Sequence, residues 1–329
     1  MDLSAANAGS YLAGRDYDTR NLRVTELSGG ISNTVLLIEN LTERFVLKQA
    51  VGRLRVEEAW FSDRSRALRE AAALQMLTPC LPTGSVPEIL FVDAENCLFA
   101  MTAGPQQSRT WKEQLLDGVI RLETAERIAA LQTSVMRASW YSKEWEARLG
   151  DLTVFGQLRL DPYYRATARR HPDLAAFFDG LIADASCRRA ALVHGDWSPK
   201  NFLVHGDAVM AIDFEVVHFG DPSFDTAFML SHLLLKGFHR PEWASGYLAA
   251  ADRYWETLAA NLPEATGWFE AAAVAHLGGL MLARIDGKSP VEYLQNEEKR
   301  AQVRAFARDV ILRRPTSLAE IFQRRGGSQ

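Results

Sequence analysis

The spacing of apolar and polar positions changes character near residue 105. Before that point short β-rich runs alternate in twos, and after it apolar residues recur in threes and fours. Residues 21–27 predict a strand that ends at Ser28-Gly29-Gly30. Residues 35–39 and 45–50 predict two more, joined by a polar turn. Over 63–77 the period is helical, with Ala67, Ala71, Leu74 and Leu77 on one stripe and Asp63 suited to the N-cap. Pro79 and Pro82 end that helix. Residues 89–92 and 97–101 predict a hairpin through 93–96, and Thr102-Ala103-Gly104-Pro105 breaks the pattern as a linker.

Beyond the linker, helical periodicity marks 111–118, 123–138, 172–185, 223–236, 243–261, 266–283 and 297–313. Residues 201–214 are the exception: two apolar runs flank His205-Gly206-Asp207-Ala208, which has turn chemistry and predicts a hairpin. The chain shows no internal repeat. The expected architecture is α+β and bilobal: a small β-rich lobe over 1–103 and a larger, mainly helical lobe over 104–329.

Composition narrows the function classes. A length of 329 residues suits one large domain or two modest lobes, and 47% hydrophobic content opposes disorder. A net charge of -4 offers no nucleic-acid footprint. The stretch MDLSAANAGSYLAGRD lacks the basic and apolar regions of a signal peptide. The apolar run at 276–282 is too short to span a bilayer, and Arg284 follows it. Neither a nucleic-acid nor a membrane partner is expected, and the location expected is cytoplasmic. Cys80, Cys97 and Cys187 lack pairing or zinc spacing and read as buried, reduced thiols.

The densest chemistry lies between Leu192 and Ala227. His194-Gly195-Asp196 is followed by Asn201, then by Asp213-Phe214-Glu215, then by Gly220-Asp221-Pro222-Ser223-Phe224-Asp225-Thr226-Ala227. The interval from Asp196 to Asn201 matches the aspartate-to-asparagine interval of the protein-kinase catalytic loop. With His-Gly-Asp as its signature and the 220–227 stretch as its downstream motif, the chain from about Leu27 to about Leu294 resembles the aminoglycoside phosphotransferase and choline kinase superfamily of small-molecule kinases.

That resemblance implies a protein-kinase-like bilobal fold, ATP as phosphoryl donor and Mg²⁺ as counter-ion. It makes Asp196 the catalytic base, Asn201 and Asp213 the metal ligands, and Asp225 a brace for the catalytic loop. An Asp-x-Glu of the methylthioribose kinase type adds Glu215 as a further ligand. Glu215 shares a face with Asp213 if the strand continues, and a salt-bridging role is the alternative. His194 reads as structural, whereas Trp197 and Lys200 lie inside the loop without an assigned role. His205-Gly206-Asp207 repeats the tripeptide with no metal-ligating residue after it, and is a turn.

Lys48 ends an apolar strand, a costly position for an unpaired ammonium. Glu70 on the following helix is its natural partner, with Glu57 and Glu58 as alternatives. The resemblance makes Lys48 the phosphate lysine and Ser28, Gly29, Gly30, Ser32 and Asn33 the phosphate-covering loop. Glycines there permit close backbone approach. Leu27, Val35 and Val46 above, and Leu203 and Ile212 below, would hold the adenine. The backbone from Met101 to Ala103 would read its edge.

Eleven residues separate Asp213 from Asp225, too few for a protein-kinase activation segment, and no Ala-Pro-Glu motif occurs. The expected acceptor is therefore a small hydroxylated molecule. Residues 46–50, Trp60 and 64–70 resemble the methylthioribose kinase branch, while 197–201 resembles the broader family. From Arg284 onward ten basic residues face six acidic ones, a surplus of +4 that leaves -8 on the rest. Such a basic region disfavours a polycationic aminoglycoside, the alternative substrate class. Segments 159–164 and 284–288 are candidates for the acceptor pocket, with capped helix ends as the alternative. A non-catalytic pseudokinase is the remaining alternative, but Lys48, Asp196 and Asp213 are all present. Oligomeric state is open.

Overall fold

A computed structural model describes residues 1–27, 33–51, 63–264 and 266–327. Helix α1 (Ala8–Ala13) precedes strands β1 (Arg23–Glu26), β2 (Asn33–Glu39) and β3 (Arg44–Ala50). Helix α2 (Arg66–Leu77) follows, then β4 (Ile89–Asp93) and β5 (Leu98–Thr102). The strands form one five-stranded antiparallel sheet in the order β1-β2-β3-β5-β4.

The two-residue period of β3 sorts its side chains between two layers. Phe45 and Leu47 join Leu3, Ala8 and Leu12 on the α1 side, and Gln49 accepts the Leu3 N–H there at 2.6 Å. Val46 and Ala50 instead pack with Ala67, Ala71 and Leu74 of α2. Lys48 follows Val46 by the same alternation and so enters the α2 layer, where it is 2% exposed. Helix α1 has no counterpart among the expected elements; six residues are too few for a clear helical period.

The remaining chain is mainly helical. The strand pair β6 (Arg109–Thr110) leads into α3 (Trp111–Leu116), capped by Thr110 and Glu113 in a reciprocal capping box. Helices α4 (Leu122–Ser139) and α5 (Lys143–Leu149) follow, then the short α6 (Thr153–Phe155). A π-helical stretch spans Gly156–Arg165 and continues as α7 (Ala166–Arg170), before α8 (Ala175–Cys187). Strand β7 (Ala191–Val193) precedes the hairpin β8 (Phe202–His205) and β9 (Ala208–Ala211). Strand β10 (His218–Gly220) pairs with β7, and β6 adds a third strand to the hairpin. Helices α9 (Ser223–His239), α10 (Ala244–Ala260), α11 (Phe269–Asp286), α12 (Glu297–Arg313) and α13 (Leu318–Gly326) complete the chain.

Helix α9 is buried on every side from Ser223 to Phe238, which is the condition of a helix inside a large core. The expected hairpin at 201–214 is present, with Gly206 at φ 56 in its turn. Two expectations are corrected. Asp63 does not cap α2: it accepts the Ser65 N–H at 2.9 Å, one turn before the helix, and Ser65 holds the N-cap position. The cysteines are free but not buried. Cys80 and Cys187 lie exposed at helix ends and Cys97 sits half-buried in a turn, positions where no packed layer covers them. Among the described residues no helix is long and apolar enough to cross a membrane.

Candidate active site

Strand β7 delivers His194, Gly195 and Asp196 to a buried loop. Gly195 adopts φ +77, and a Cβ there would stand 2.8 Å from Val216 Cγ1 and 2.9 Å from the Val216 carbonyl oxygen. Only glycine fits that turn. The N–H groups of His194 and Gly195 donate to the two carboxylate oxygens of Asp225 at 2.6 and 2.9 Å. Asp225, at the N-terminal end of α9, therefore fixes the loop from beneath. Burial raises its pKa to about 7, and the nearby Asp196 adds to this against the two N–H donors.

His194 is structural in its contacts. Its Nε2 faces the Ile212 carbonyl at 3.0 Å and its Nδ1 accepts the Asp196 N–H at 3.2 Å. One nitrogen donates and the other accepts, which defines the neutral ring. Burial lowers its pKa to about 4, in agreement. His194 thus ties the Asp196 loop to the end of β9.

Asp196 is 4% exposed. Its Oδ2 meets Lys200 Nζ at 2.8 Å and Arg159 at 3.1 Å, while among the described residues Oδ1 has only the Ser198 hydroxyl at 3.4 Å. Burial alone would raise this carboxyl, but Lys200 and Arg159 outweigh it and hold the group well below the usual carboxylate range. Arg159 also donates to the Gly195 carbonyl at 2.5 Å. It belongs to the π-helical stretch, a distortion frequent at functional sites.

Asn201 and Asp213 are brought together by the Ile212 N–H, which donates to the Asn201 carbonyl at 2.9 Å. The Asn201 amide nitrogen donates to the Asp196 carbonyl at 2.9 Å, leaving the amide oxygen for a cation. Asp213 has φ 66, so the chain turns away from strand geometry at this residue. Its Oδ1 contacts Lys48 at 2.5 Å, and Oδ2 makes no hydrogen bond among the described residues. Two hard oxygens in adjacent positions fit a divalent cation that also takes phosphate oxygens.

Lys48 bridges two elements: its Nζ stands 2.7 Å from Glu70 of α2 and 2.5 Å from Asp213. Burial pulls the ammonium pKa down, but Asp213 and Glu70 outweigh it and hold it above the ordinary lysine value. Glu70, 0% exposed, also accepts the Phe214 N–H at 3.0 Å. Burial favours its neutral form; the ammonium at 2.7 Å and the amide donor favour the ionised pair, which the geometry supports. Two neighbours on the same face of α2 reach the helical part of the chain as well. Arg66 pairs with Glu215 at 3.2 Å, and Arg69 donates to the Asp151 carbonyl at 2.7 Å.

Glu215 does not share a strand face with Asp213, because β9 ends at Ala211. It accepts from Asn33 Nδ2 at 2.9 Å and pairs with Arg66, so the salt-bridging alternative describes its contacts. Asn33 opens β2; Ser28, Gly29, Gly30, Ser32, Trp60, Glu57 and Glu58 lie outside the described residues. At the linker, a Cβ on Gly104 would stand 2.3 Å from Leu203, so the chain after Ala103 lies directly on the hairpin. Val46 and Met101 are buried, whereas Val35, Ala103, Leu203 and Ile212 are partly covered and Leu27 is exposed. Trp197 is core, packed edge-on between His194 and Phe202. The turn at His205-Gly206-Asp207 is exposed and apart from the loop.

Arg66 and Arg69 carry contacts that their sequence context does not signal; by sequence Lys200 falls in the loop and Arg159 in a candidate pocket segment, but their pairing with Asp196 is not signalled. Arg159 lies 37 positions before Asp196 in a stretch without helical period, and only the fold brings the two together.

A family model described as "Phosphotransferase enzyme family" matches residues 23–261. The methylthioribose kinase of Escherichia coli O45:K1 (strain S88 / ExPEC) is 26% identical over 262 residues, covering 70% of this chain and 61% of that protein. Methylthioribose kinase 1 of Oryza sativa subsp. japonica is 26% identical over 249 residues, covering 66% and 57%. The chain thus spans about three fifths of the length of these curated relatives. Among solved structures, an amicoumacin kinase in complex with AMP-PNP, Ca²⁺ and amicoumacin shares the fold over 96% of this chain and 97% of its own. Its TM-score is 0.61 at 13% identity.

Proposed function

The chain belongs to the phosphotransferase enzyme family, and on that premise we propose a kinase that transfers the terminal phosphoryl group of ATP to a hydroxyl of a small molecule. The observation that carries this reading is the buried bridge from Glu70 through Lys48 to Asp213, beside an Asp196 whose Oδ1 is left for an acceptor. We place the lobe boundary at residues 103 and 104, where Gly104 meets Leu203. The nucleotide would lie there, with Met101, Ala103, Leu203 and Ile212 around its base and Asn33 near its phosphates. ATP as donor agrees with a cytoplasmic location.

Each residue has a defined task in this reading. Asn201 and Asp213 would hold Mg²⁺, which neutralises charge on the phosphates. Lys48 supplies a fixed positive charge, kept protonated by its two carboxylates. Asp196 remains ionised at any working pH, because Lys200 and Arg159 suppress its basicity. It therefore orients the acceptor hydroxyl through Oδ1 and takes the proton as bonding to phosphorus advances, which suits a loose transition state. Arg66 and Asn33 hold Glu215 beside Asp213, where it would support the loop or add a further oxygen to the cation.

The acceptor proposed is of the sugar class, with methylthioribose as first candidate because both curated relatives bear that name. The test is Mg-ATP-dependent ADP release over methylthioribose, other pentoses, choline, homoserine and aminoglycosides. Asp196→Asn should retain nucleotide binding and lose turnover roughly 10²- to 10⁴-fold, the range for a positioned acid-base group. Asp207→Asn, in the second His-Gly-Asp, should change nothing. Full turnover by Asp196→Asn would remove the assignment of the base. Failure to bind Mg-ATP at all would remove the kinase reading.

A further inference from the structure

The C-terminal half of α9 carries a buried lysine, Lys236, that forms no ion pair with a carboxylate among the described residues. Phe228, His232 and Lys236 are four residues apart and so share one face over two helical turns, about 12 Å. That face meets the π-helical stretch and the end of α11. The Phe228 ring stacks on Tyr163 at 5.9 Å, and Arg159 stands over Phe228 at 5.8 Å. Arg159 and Arg284 each lie 5.5 Å from the Tyr163 ring centre, and Arg284 donates to the Tyr163 hydroxyl at 3.2 Å. The row begins at Asp196, through Arg159, and ends at Lys236 and Arg284.

Lys236 is 0% exposed. Its contacts among the described residues are the His232 carbonyl at 3.4 Å and the Tyr293 ring at 5.1 Å. No carboxylate there forms an ion pair with Lys236 or Arg284. Glu292, whose charge acts on Lys236, is already paired with Lys112. The Arg284 Nε and the Tyr293 hydroxyl are buried without a hydrogen-bond partner among the described residues, while Arg284 Nη1 donates to the Ser289 carbonyl and to its hydroxyl. A buried ammonium without an anion is expensive, and the same donors gathered for an anion are a binding site. Burial, with Lys112 and Arg284, pulls Lys236 down to about 7 against the charge of Glu292. Burial and the Arg284 and Lys236 charges push His232 well below its ordinary value, so its ring is neutral and available as a further hydrogen-bonding group.

We propose that Lys236 and Arg284, with Tyr293, bind an anionic group, carboxylate or phosphate, carried by the acceptor several bonds from the hydroxyl that Asp196 orients. This rests on the kinase reading, keeps its sugar class, and puts an anionic sugar in place of the methylthioribose that the relatives' names suggest. A sugar phosphate or sugar acid would satisfy the cations, free methylthioribose would leave them unpaired, and an aminoglycoside would add charges of the same sign.

The experiment uses the full chain with Mg-ATP and matched acceptor pairs: ribose against ribose 5-phosphate, glucose against gluconate, with methylthioribose beside them. The expected result is a kcat/KM at least tenfold higher for an anionic member than for its neutral counterpart, and which pair responds separates phosphate from carboxylate. Lys236→Met or Arg284→Gln should then lower that value roughly 10- to 100-fold, mainly through KM, the range for hydrogen bonds to charged groups. Arg284→Lys, which retains the charge, should recover part of it. Equal or better turnover of the neutral compounds would overturn the proposal and leave the kinase reading standing. If no compound released ADP, melting temperatures would decide. A rise with millimolar ribose 5-phosphate or gluconate in wild type, absent in Lys236→Met, would uphold the anion site while the kinase reading failed. No rise would overturn it.

Discussion

Removing the Lys48 side chain tests whether the buried bridge is a mutually compensating pair. Lys48→Met leaves Glu70 at 0% exposure with the Phe214 N–H as its remaining donor. Asp213 is less affected, since its side chain is 27% exposed and can rehydrate. The loss therefore concentrates on Glu70 and falls in the range of about 3–5 kcal/mol for a broken buried pair. At about 2.1 cal/mol/K per residue, unfolding of a chain of this length carries roughly 0.7 kcal/mol/K, so the melting temperature should fall by about 4–7 °C. In Lys48→Met/Glu70→Leu neither charge of the Lys48–Glu70 pair remains. The Phe214 N–H loses its acceptor at about 1 kcal/mol, and the double variant should lie within about 2 kcal/mol of wild type. The two single changes then sum to far more than the double, a coupling of several kcal/mol. Denaturant unfolding of the nucleotide-free protein at neutral pH measures all four corners. A Lys48→Met loss below about 1 kcal/mol, or a double variant as unstable as the sum, would refute the argument.

Asp213→Ala should weaken Mg-ATP binding by titration calorimetry while the protein keeps its fold, because Asp213 offers a free oxygen beside Asn201; unchanged affinity would remove it as a ligand. Gly195→Ala should destabilise by about 1–3 kcal/mol in thermal unfolding, since φ +77 and Val216 at 2.8 Å both oppose a Cβ. It should also reduce ADP release by displacing the loop. Asp225 holds its proton up to about pH 7 when folded, against about 4 in an unfolded chain. The native state therefore binds more protons across that window, and stability from this group is present below about pH 4 and lost as pH rises to about 7. Asp225→Asn removes the titration, so the stability of wild type relative to the variant should shrink from pH 4 to 7 and level off above. A difference that grew with pH would contradict the raised value.

Much of this protein can be read along the chain. The two-residue period of 45–50 places Lys48 on the same face as Val46, and the stripe of α2 places Glu70 beside Ala67, so one buried pair follows from two local patterns. The hairpin at 202–211 and the long helices follow in the same way, since each repeats a period set by the face it buries. What periodicity cannot carry is contact between elements far apart in sequence. Arg159 reaches Asp196 only because a π-helical turn brings it under the loop, and Asp225 holds the His194 and Gly195 amides because α9 starts there. Glu215 turned to Arg66 when Asp213 took a left-handed backbone, a choice that an alternating pattern does not show. Lys236 and Arg284 lie on different helices and come together, with no carboxylate ion pair among the described residues, only when α9 and α11 pack. The sequence determined which residues could carry charge and which faces were apolar; packing decided which charges meet, because burial sets the dielectric in which a pair is worth forming.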